Sequence, residues 1–426
     1  MTEPPMKTAT EEAARLCLEV GRLLLGDGAD TAQVQDSVAR FASGLGYEAR
    51  LIITYRALLL TIIIHGDFRT KVGRHIPAMN VNLTTVEVLN RIVDETAAGR
   101  LDAAAARGRL EALEHSPAIY PRWLAAVSIG LTAACLSRLF GGDWPVFCAA
   151  LIGGTTTGFV RQQLTLWGIN LLAVPFASAL AGGVIGGLCL KLLPSATPAL
   201  CLIAPGMILV PGVPLINGIR DAISNNMELS LARLAFSVLV VTAIAVGLFA
   251  ATGVTGIGIP LSAASPLLPV IEDALFSAVA TVGYVCLFSV PVRLAWACIL
   301  CGLCSHALRT ALMHGGLGIV SGTLIASMAA GLLAHVFSRN FGAPLAAFAF
   351  PGVVAMVPGS YAFRAAIGAV QLMRSAGASP TNLLPQTASL VITTVVLTAA
   401  IAIGLAIALV LPLNFRRRTQ PAKSGL

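Results

Sequence analysis

Apolar residues recur at helical spacing through "EEAARLCLEVGRLLLGDG" (11–28) and "ADTAQVQDSVARFASGLG" (29–46). The first stretch stops at Gly26 and Gly28 and the second at Gly44 and Gly46, so the spacing predicts two amphipathic helices. "YEARLIITYRALLLTIIIHGDF" (47–68) is instead rich in Ile, Leu and Thr. At two strands' length it predicts a hairpin, because a membrane span needs about 20 unbroken apolar residues. Two more helices are predicted near Thr84–Thr96 and Leu101–Glu114. They lead to "SPAIYPRW" (116–123), where Pro117 and Pro121 end the domain and Tyr120 and Trp123 suit a membrane interface.

From Trp123 onward the pattern changes to long, nearly continuous apolar runs. Ten segments are long enough to cross a bilayer, near 122–140, 144–161, 169–190, 198–219, 230–253, 267–289, 293–312, 318–337, 343–370 and 387–411. Two of them are interrupted alike. "APGMILVPG" (204–212) carries Pro205, Gly206, Pro211 and Gly212, and "FPGVVAMVPG" (350–359) carries Pro351, Gly352, Pro358 and Gly359. Proline removes a backbone donor and glycine weakens a helix, so neither segment is a smooth span. Each lies in the fourth span of a five-span half. An odd number of spans inverts the second half, which is the inverted-repeat plan of many secondary transporters, with broken helices meeting near the midplane. The breaks would free backbone groups to line a polar cavity. The blander alternative is a kink that lets two helices pack closely. A further likeness, between "RWLAAVSIGLTAACLSR" (122–138) and "RLAWACILCGLCSHALR" (293–309), pairs spans 1 and 7 and conflicts with a simple repeat.

Composition sets these runs in lipid. The 426 residues are 56% hydrophobic and 11% charged, against roughly 25% charged in a soluble domain. Five of the 20 acidic residues lie beyond Ala118, against 15 of the 28 basic ones, so a nearly balanced soluble domain precedes a basic membrane domain. The net charge of +8 is spread thinly, with no basic cluster interleaved with aromatics, so it fits basic cytoplasmic loops and not nucleic acid. "MTEPPMKTATEEAARL" lacks the basic and apolar regions of a signal peptide, which keeps the N-terminus inside. Arg161, Arg220, Arg233, Arg293, Arg339 and the tail "NFRRRTQPAK" then fall on the cytoplasmic side, and so does the C-terminus. The expected fold is an α-helical polytopic membrane protein. It has about ten transmembrane helices in two five-helix halves, a small cytoplasmic α+β domain before them, and broken Pro-Gly helices. The expected divisions are a cytoplasmic domain 1–118, a first half 119–254, a periplasmic linker 255–266, a second half 267–413 and a basic tail 414–426.

Ionisable groups within spans are costly and are functional candidates by default. Of the acids beyond Ala118, Asp143 belongs to an outer loop and Glu228 to an inner boundary. Asp221 shares a helix face with Asn217 at i, i+4 and follows Arg220. It either exchanges a proton or pairs with Arg220 and closes the span. Glu272 and Asp273 follow Pro269 in a first helical turn, where acids stabilise the positive helix end; Asp273 lies deeper and either serves that end or, like Asp221, exchanges a proton. Among the bases, Arg161 ends span 2, Arg309 stands three residues after His306, and Arg364 follows the second break by five residues. An arginine holds a carboxylate through two parallel hydrogen bonds, which suits an amino acid or small organic acid. For Arg161 and Arg309 the alternative is an interfacial anchor, and for His306 a packed helix face. "CILCGLCSH" offers Cys298, Cys301, Cys304 and His306, but one helix cannot enclose a tetrahedral ion and no partner cluster exists, so no metal is expected. In the soluble part His65, Asp67 and His75 are close in sequence, yet G-x-S-x-G and H-E-x-x-H are missing, as is the Walker A phosphate loop. Neither an enzyme nor a cofactor is expected, and ion gradients are left as the energy source.

Six segments, in this order and spacing, carry a family likeness: "GADTAQVQD" (28–36), "YPRW" (120–123), "FVRQQL" (159–164), "VPGVPLINGIRDAI" (210–223), "VPVRLAWACILCGLCSHALRTALM" (290–313) and "FPGVVAMVPGSYAF" (350–363). The chain resembles the threonine/serine exporter family over nearly its whole length. That family exists as a single ten-span chain and as a split pair of a larger and a smaller membrane protein. This sequence looks like the two split components joined near the Gly/Pro/Ser-rich "GVTGIGIPLSAASPLLP" (253–269). The resemblance implies proton-driven efflux of small metabolites across the bacterial inner membrane. Threonine and serine are the named substrates, and dicarboxylates such as succinate are associated with the split branch, to which these motifs are somewhat closer. It carries over Arg161, Asn217, Asp221, Asp273, His306 and Arg309 as site candidates. The expected partners are a small-molecule substrate, protons and the lipid bilayer, with a homo-oligomer left open. Two rivals stand beside this reading: a channel, and a membrane-anchored sensor or enzyme with its chemistry in residues 1–118.

Overall fold

The computed structural model describes residues 5–54, 57–64, 67–73, 81–114, 116–261, 267–374 and 382–419. It divides into two compact units. One joins residues 1–119 with Asn217–Leu234 and Phe288–Pro291, and the other joins Tyr120–Ile216, Ala235–Leu287 and Val292–Leu426.

The first unit opens with α1 (Pro5–Gly26) and α2 (Thr31–Gly44), continues with β1 (Glu48–Ile53), β2 (Leu58–Ile64) and β3 (Asp67–Val72), and returns to α3 (Leu83–Ala97) and α4 (Ala103–Glu114). Local chemistry sets the helix starts. Gly28 turns the chain at φ 97°, which a side chain would resist, and Asp30 then caps α2 by accepting a hydrogen bond from Gln33 N at 3.0 Å. Asn82 caps α3 in the same way through Thr85 N. The strands form an antiparallel sheet in the order β1-β2-β3. Alternation on β2 buries Leu58, Leu60 and Ile62 in one core with Val34, Val38 and Phe41 of α2 and Val86, Leu89 and Val93 of α3.

The hairpin expected over 47–68 therefore acquires a third strand, "DFRTKV". Its residues are mostly polar, and Phe68 and Val72 point to the outside, so it carries no alternating apolar signal. Pairing with β2 makes it a strand, and the hydroxyls of Thr61 and Thr70 meet across it at 3.0 Å. His65 and His75 lie outside the described residues, as does the side chain of Asp67.

The remaining elements are α5 (Arg122–Leu139), α6 (Trp144–Leu166), α7 (Ala173–Cys189), α8 (Leu200–Met207), α9 (Gly212–Ile223), α10 (Met227–Thr255), α11 (Val270–Leu287) and α12 (Val292–His314). After them come α13 (Ile319–Phe341), α14 (Leu345–Val353), a single 3₁₀ turn at Val354–Met356, α15 (Gly359–Arg374) and α16 (Leu383–Thr419). Small residues let these helices close up, the usual basis of helix packing in lipid. Thr132 of α5 donates to the carbonyl of Ala280 on α11 at 3.0 Å, and a Cβ on Gly283 would come within 2.5 Å of Ser128 O. α5 and α11 thus pack backbone against backbone.

Each of the ten segments expected to cross the bilayer is helical, two of them as bent pairs. Among the described residues five helices, α10, α11, α12, α13 and α16, are by themselves long and apolar enough to span a membrane, or up to seven spans if each bent pair counts as one. α7 is apolar but only 17 residues long. α5 carries Arg122 and Arg138, and α6 carries three successive threonines, Arg161 and two glutamines, which dilute their hydropathy. The chain is a mostly helical membrane protein with five to seven candidate spans among its described residues and a three-stranded sheet near its N-terminus.

Candidate functional site

Both Pro-Gly interruptions coincide with sharp bends, of 57° between α8 and α9 and 49° between α14 and α15. Prolines inside α8 and α14 explain the weakness of these helices, since Pro205 and Pro351 each remove a backbone donor. The two breaks also meet. A Cβ on Gly359 would lie 2.8 Å from Val210 Cγ2, and one on Gly212 would lie 3.3 Å from Val354 Cγ2. Glycine therefore serves closeness as well as bending here, since a Cβ on Gly359 would force Val210 to shift.

Helix α12 serves the second break directly. A helical Pro351 deprives the carbonyl of Ala347, four residues earlier, of its usual donor, and Cys298 Sγ donates to that carbonyl at 3.1 Å. Ser305 Oγ donates to the carbonyl of Gly352 at 2.7 Å, and Cys301 Cβ would be 2.9 Å from a Cβ on Gly352. Two cysteines that the sequence offered to a metal thus act as a donor and as a small contact residue. Among the described residues no group of three metal-ligating side chains occurs.

One residue beyond Ser305, a charged chain crosses from α11 to α12. Asp273 Oδ1 lies 2.5 Å from His306 Nδ1, and Arg309 Nη2 lies 2.9 Å from His306 Nε2. Asp273 and His306 are 3% and 2% exposed. Because a guanidinium only donates, Nε2 must accept, which leaves the hydrogen on Nδ1 to be donated to the Asp273 carboxylate. The arrangement is a neutral imidazole between one negative and one positive charge. Tyr361 of α15 interacts electrostatically with both Arg309 and the buried Arg364.

A second cluster lies wholly in the first unit. Asp221 Oδ2 is 2.7 Å from Arg233 Nη1, and the two residues are 2% and 1% exposed. Arg220 Nη1 instead reaches Asp30 Oδ2 at 3.1 Å, and Asn217 Nδ2 donates to the carbonyl of Gly28 at 3.2 Å. The "GADT" turn that starts α2 is therefore the partner of the end of α9. Nearby, Thr84 of α3 gives both its backbone N–H, at 3.1 Å, and its hydroxyl to the carbonyl of Ser289, a residue held at φ 49°.

A family described as "Putative threonine/serine exporter" matches residues 15–255, more than half of the chain, and one described as "Threonine/Serine exporter, ThrE" matches residues 273–411. The chain belongs to the threonine/serine exporter family. It is 31% identical over 255 residues to the "Probable succinate transporter subunit YjjP" of Escherichia coli K12, covering 59% of this chain and 98% of that subunit. The Klebsiella aerogenes protein of the same name is 29% identical over 253 residues, with 59% and 97% covered. A "Probable threonine/serine exporter" of Mycobacterium tuberculosis H37Rv is 26% identical over 376 residues, 84% of this chain and 70% of that protein. No solved structure matches the chain. Two consecutive family segments, one of them the length of a separate subunit elsewhere, make this family member a fused form.

Within this exporter-family chain the candidate residues sort into three groups. Asp273, His306 and the partly buried Arg309 form one hydrogen-bonded chain. Asn217, Arg220 and Asp221 gather in the other cluster, where the pairing of Asp221 with Arg220 allowed by sequence gives way to Asp221–Arg233 and Asp30–Arg220. Arg364 is buried beside Tyr361, and Arg161, partly buried at the end of α6, belongs to neither cluster. The sequence did not single out Asp30, Ser305 or Tyr361, and it offered Cys298 only to a metal. Asp30 sat in plain view as the helix-capping residue of a matched motif, whereas Ser305 gave no signal beyond adjacency to His306.

Proposed function

We propose that this chain is a secondary-active exporter of small carboxylate-bearing metabolites of the threonine/serine type, exchanging them for protons by alternating access. The observation that carries the reading is the packing of two equivalent Pro-Gly breaks, one from each matched family segment, beside the hydrogen-bonded Asp273–His306–Arg309 chain. Backbone freed at such breaks is tolerated in a membrane where it is buried in protein or lines a cavity. Arg309 and Arg364 are the cations for a substrate carboxylate, and Asp273 with His306 is the proton path. In this reading the two halves insert oppositely as an inverted repeat of five spans each, with both termini in the cytoplasm of a bacterial cell. Succinate is the second substrate reading, favoured by the 31% identity to a protein named as a succinate transporter subunit.

Proteoliposomes loaded with labelled threonine, serine or succinate, with an acidic exterior imposed, test the proposal. Efflux should accelerate with the pH gradient and collapse with a protonophore. Flux of the same solutes indifferent to the gradient would establish a channel instead, and lack of flux for all three would remove the substrate class.

A further inference from the structure

We infer that His306 Nε2 is the point where a substrate carboxylate and a proton exclude one another, because Arg309 stays on Nε2 only while the proton is absent. The inference deepens the proposed exporter function and rests on it. Two observations support it. The Nε2 lone pair is already occupied by a hydrogen from Arg309 Nη2 at 2.9 Å, and a lone pair accepts one hydrogen. Arg309 Nε, on the same edge of the guanidinium, is buried and has no hydrogen-bond partner among the described residues. A buried donor without an acceptor is costly, and a guanidinium edge fits a carboxylate through two parallel bonds.

The consequences follow from geometry. While Arg309 rests on His306, its Nε–H is held in place to receive a carboxylate. When a proton from the aqueous side binds the Nε2 lone pair, the Arg309–His306 hydrogen bond breaks and the ring becomes a cation facing a cation. One N–H bond forms at Nε2 with a proton released by water or buffer acid on the aqueous side, and the hydrogen bond to Arg309 is lost. The substrate carboxylate would attract that imidazolium, but it would sit beyond the guanidinium edge, farther from the ring than the guanidinium itself. Coulomb energy falls with distance, so repulsion wins and Arg309 is driven off. Proton binding then dismantles the substrate site, and substrate binding withholds the lone pair from the proton, which is the requirement for exchange in opposite directions. Asp273 attracts the imidazolium more strongly than the neutral ring, which favours proton uptake at Nε2 without giving Arg309 a partner there. Asp273 on α11 keeps its bond to Nδ1–H throughout, and Tyr361 on α15 is near both Arg309 and Arg364. Ser305, the neighbour of His306, remains bonded to the break through Gly352 O.

The test is counterflow of labelled threonine, serine and succinate in proteoliposomes with equal pH on both sides, from pH 5.5 to 8.5. In the wild type, half-saturation for the transported solute should rise by up to tenfold per pH unit toward acid. In His306→Gln, whose amide oxygen still accepts from Arg309 but takes no proton, half-saturation should stay within about twofold over the range. Arg309→Lys, which keeps a donor but loses the two-bond edge, should weaken half-saturation at every pH while keeping its slope. Half-saturation that improves toward acid, or a slope unchanged in His306→Gln, overturns the exclusion. If His306→Gln does not fold, the wild-type slope and Arg309→Lys decide alone. Absence of counterflow for every solute in the wild type would count against the exporter function, whereas counterflow without the slope would count against the exclusion only.

Discussion

Replacing Asp221 by Asn separates a structural from a transport role for this carboxylate. Asp221 and Arg233 are almost fully buried, 2.7 Å apart. At an effective dielectric of about 20, that distance gives a gross attraction of about 6 kcal/mol, much of it offset by desolvation of the two ions. The offset is lost when one partner is removed, because a guanidinium then stays buried without its carboxylate. That costs about 3–5 kcal/mol. In the detergent-solubilised full chain, the thermal midpoint should drop by on the order of 10 °C, read by tryptophan fluorescence or near-ultraviolet dichroism. The double variant Asp221→Leu with Arg233→Met removes both charges and should recover most of the loss. Efflux, scored per folded molecule, should keep its dependence on the pH gradient in that double variant. A midpoint unchanged in Asp221→Asn, together with abolished pH-driven efflux, would refute this reasoning and make Asp221 a proton carrier.

Two further outcomes test other parts of the fold. Gly359→Ala places a methyl group against Val210 Cγ2 at the meeting of the two breaks; overpacking of this kind costs about 1–3 kcal/mol, so transport should slow by about tenfold, with partial rescue by Val210→Ala in the same vesicle assay. Burial pushes the Asp27 carboxyl in the first unit up to about 6, against the opposing pull of Arg22. The folded state therefore holds its proton more tightly than the unfolded chain. The stabilisation is complete below the unfolded value of 3.8 and is lost as pH rises through about 6. Solvent screening leaves about 1–2 kcal/mol of it, so Asp27→Asn should flatten the fall in thermal midpoint between pH 4 and 7.

Much of the architecture was legible before any coordinates because its causes are local. Helical spacing with flanking glycines marked α1 and α2, and Pro351 and Pro205 marked the weak points of α14 and α8, since a missing backbone donor acts wherever the residue stands. The family likeness was equally readable from six short segments. Other features needed partners from far along the chain. "DFRTKV" became a strand only because β2 offered it an open edge, and its polar residues show no face by themselves. Asp30 and Arg220 lie 190 positions apart, and Asp273 and His306 lie 33 apart. No periodicity connects such pairs, because an ion pair between elements depends on which helices touch and not on spacing within either one. The sequence therefore determined which segments are helical, where they break and which residues are chemically able to act. Tertiary packing decided which of those residues share a site, because burial makes each charge take the nearest counter-charge the fold provides.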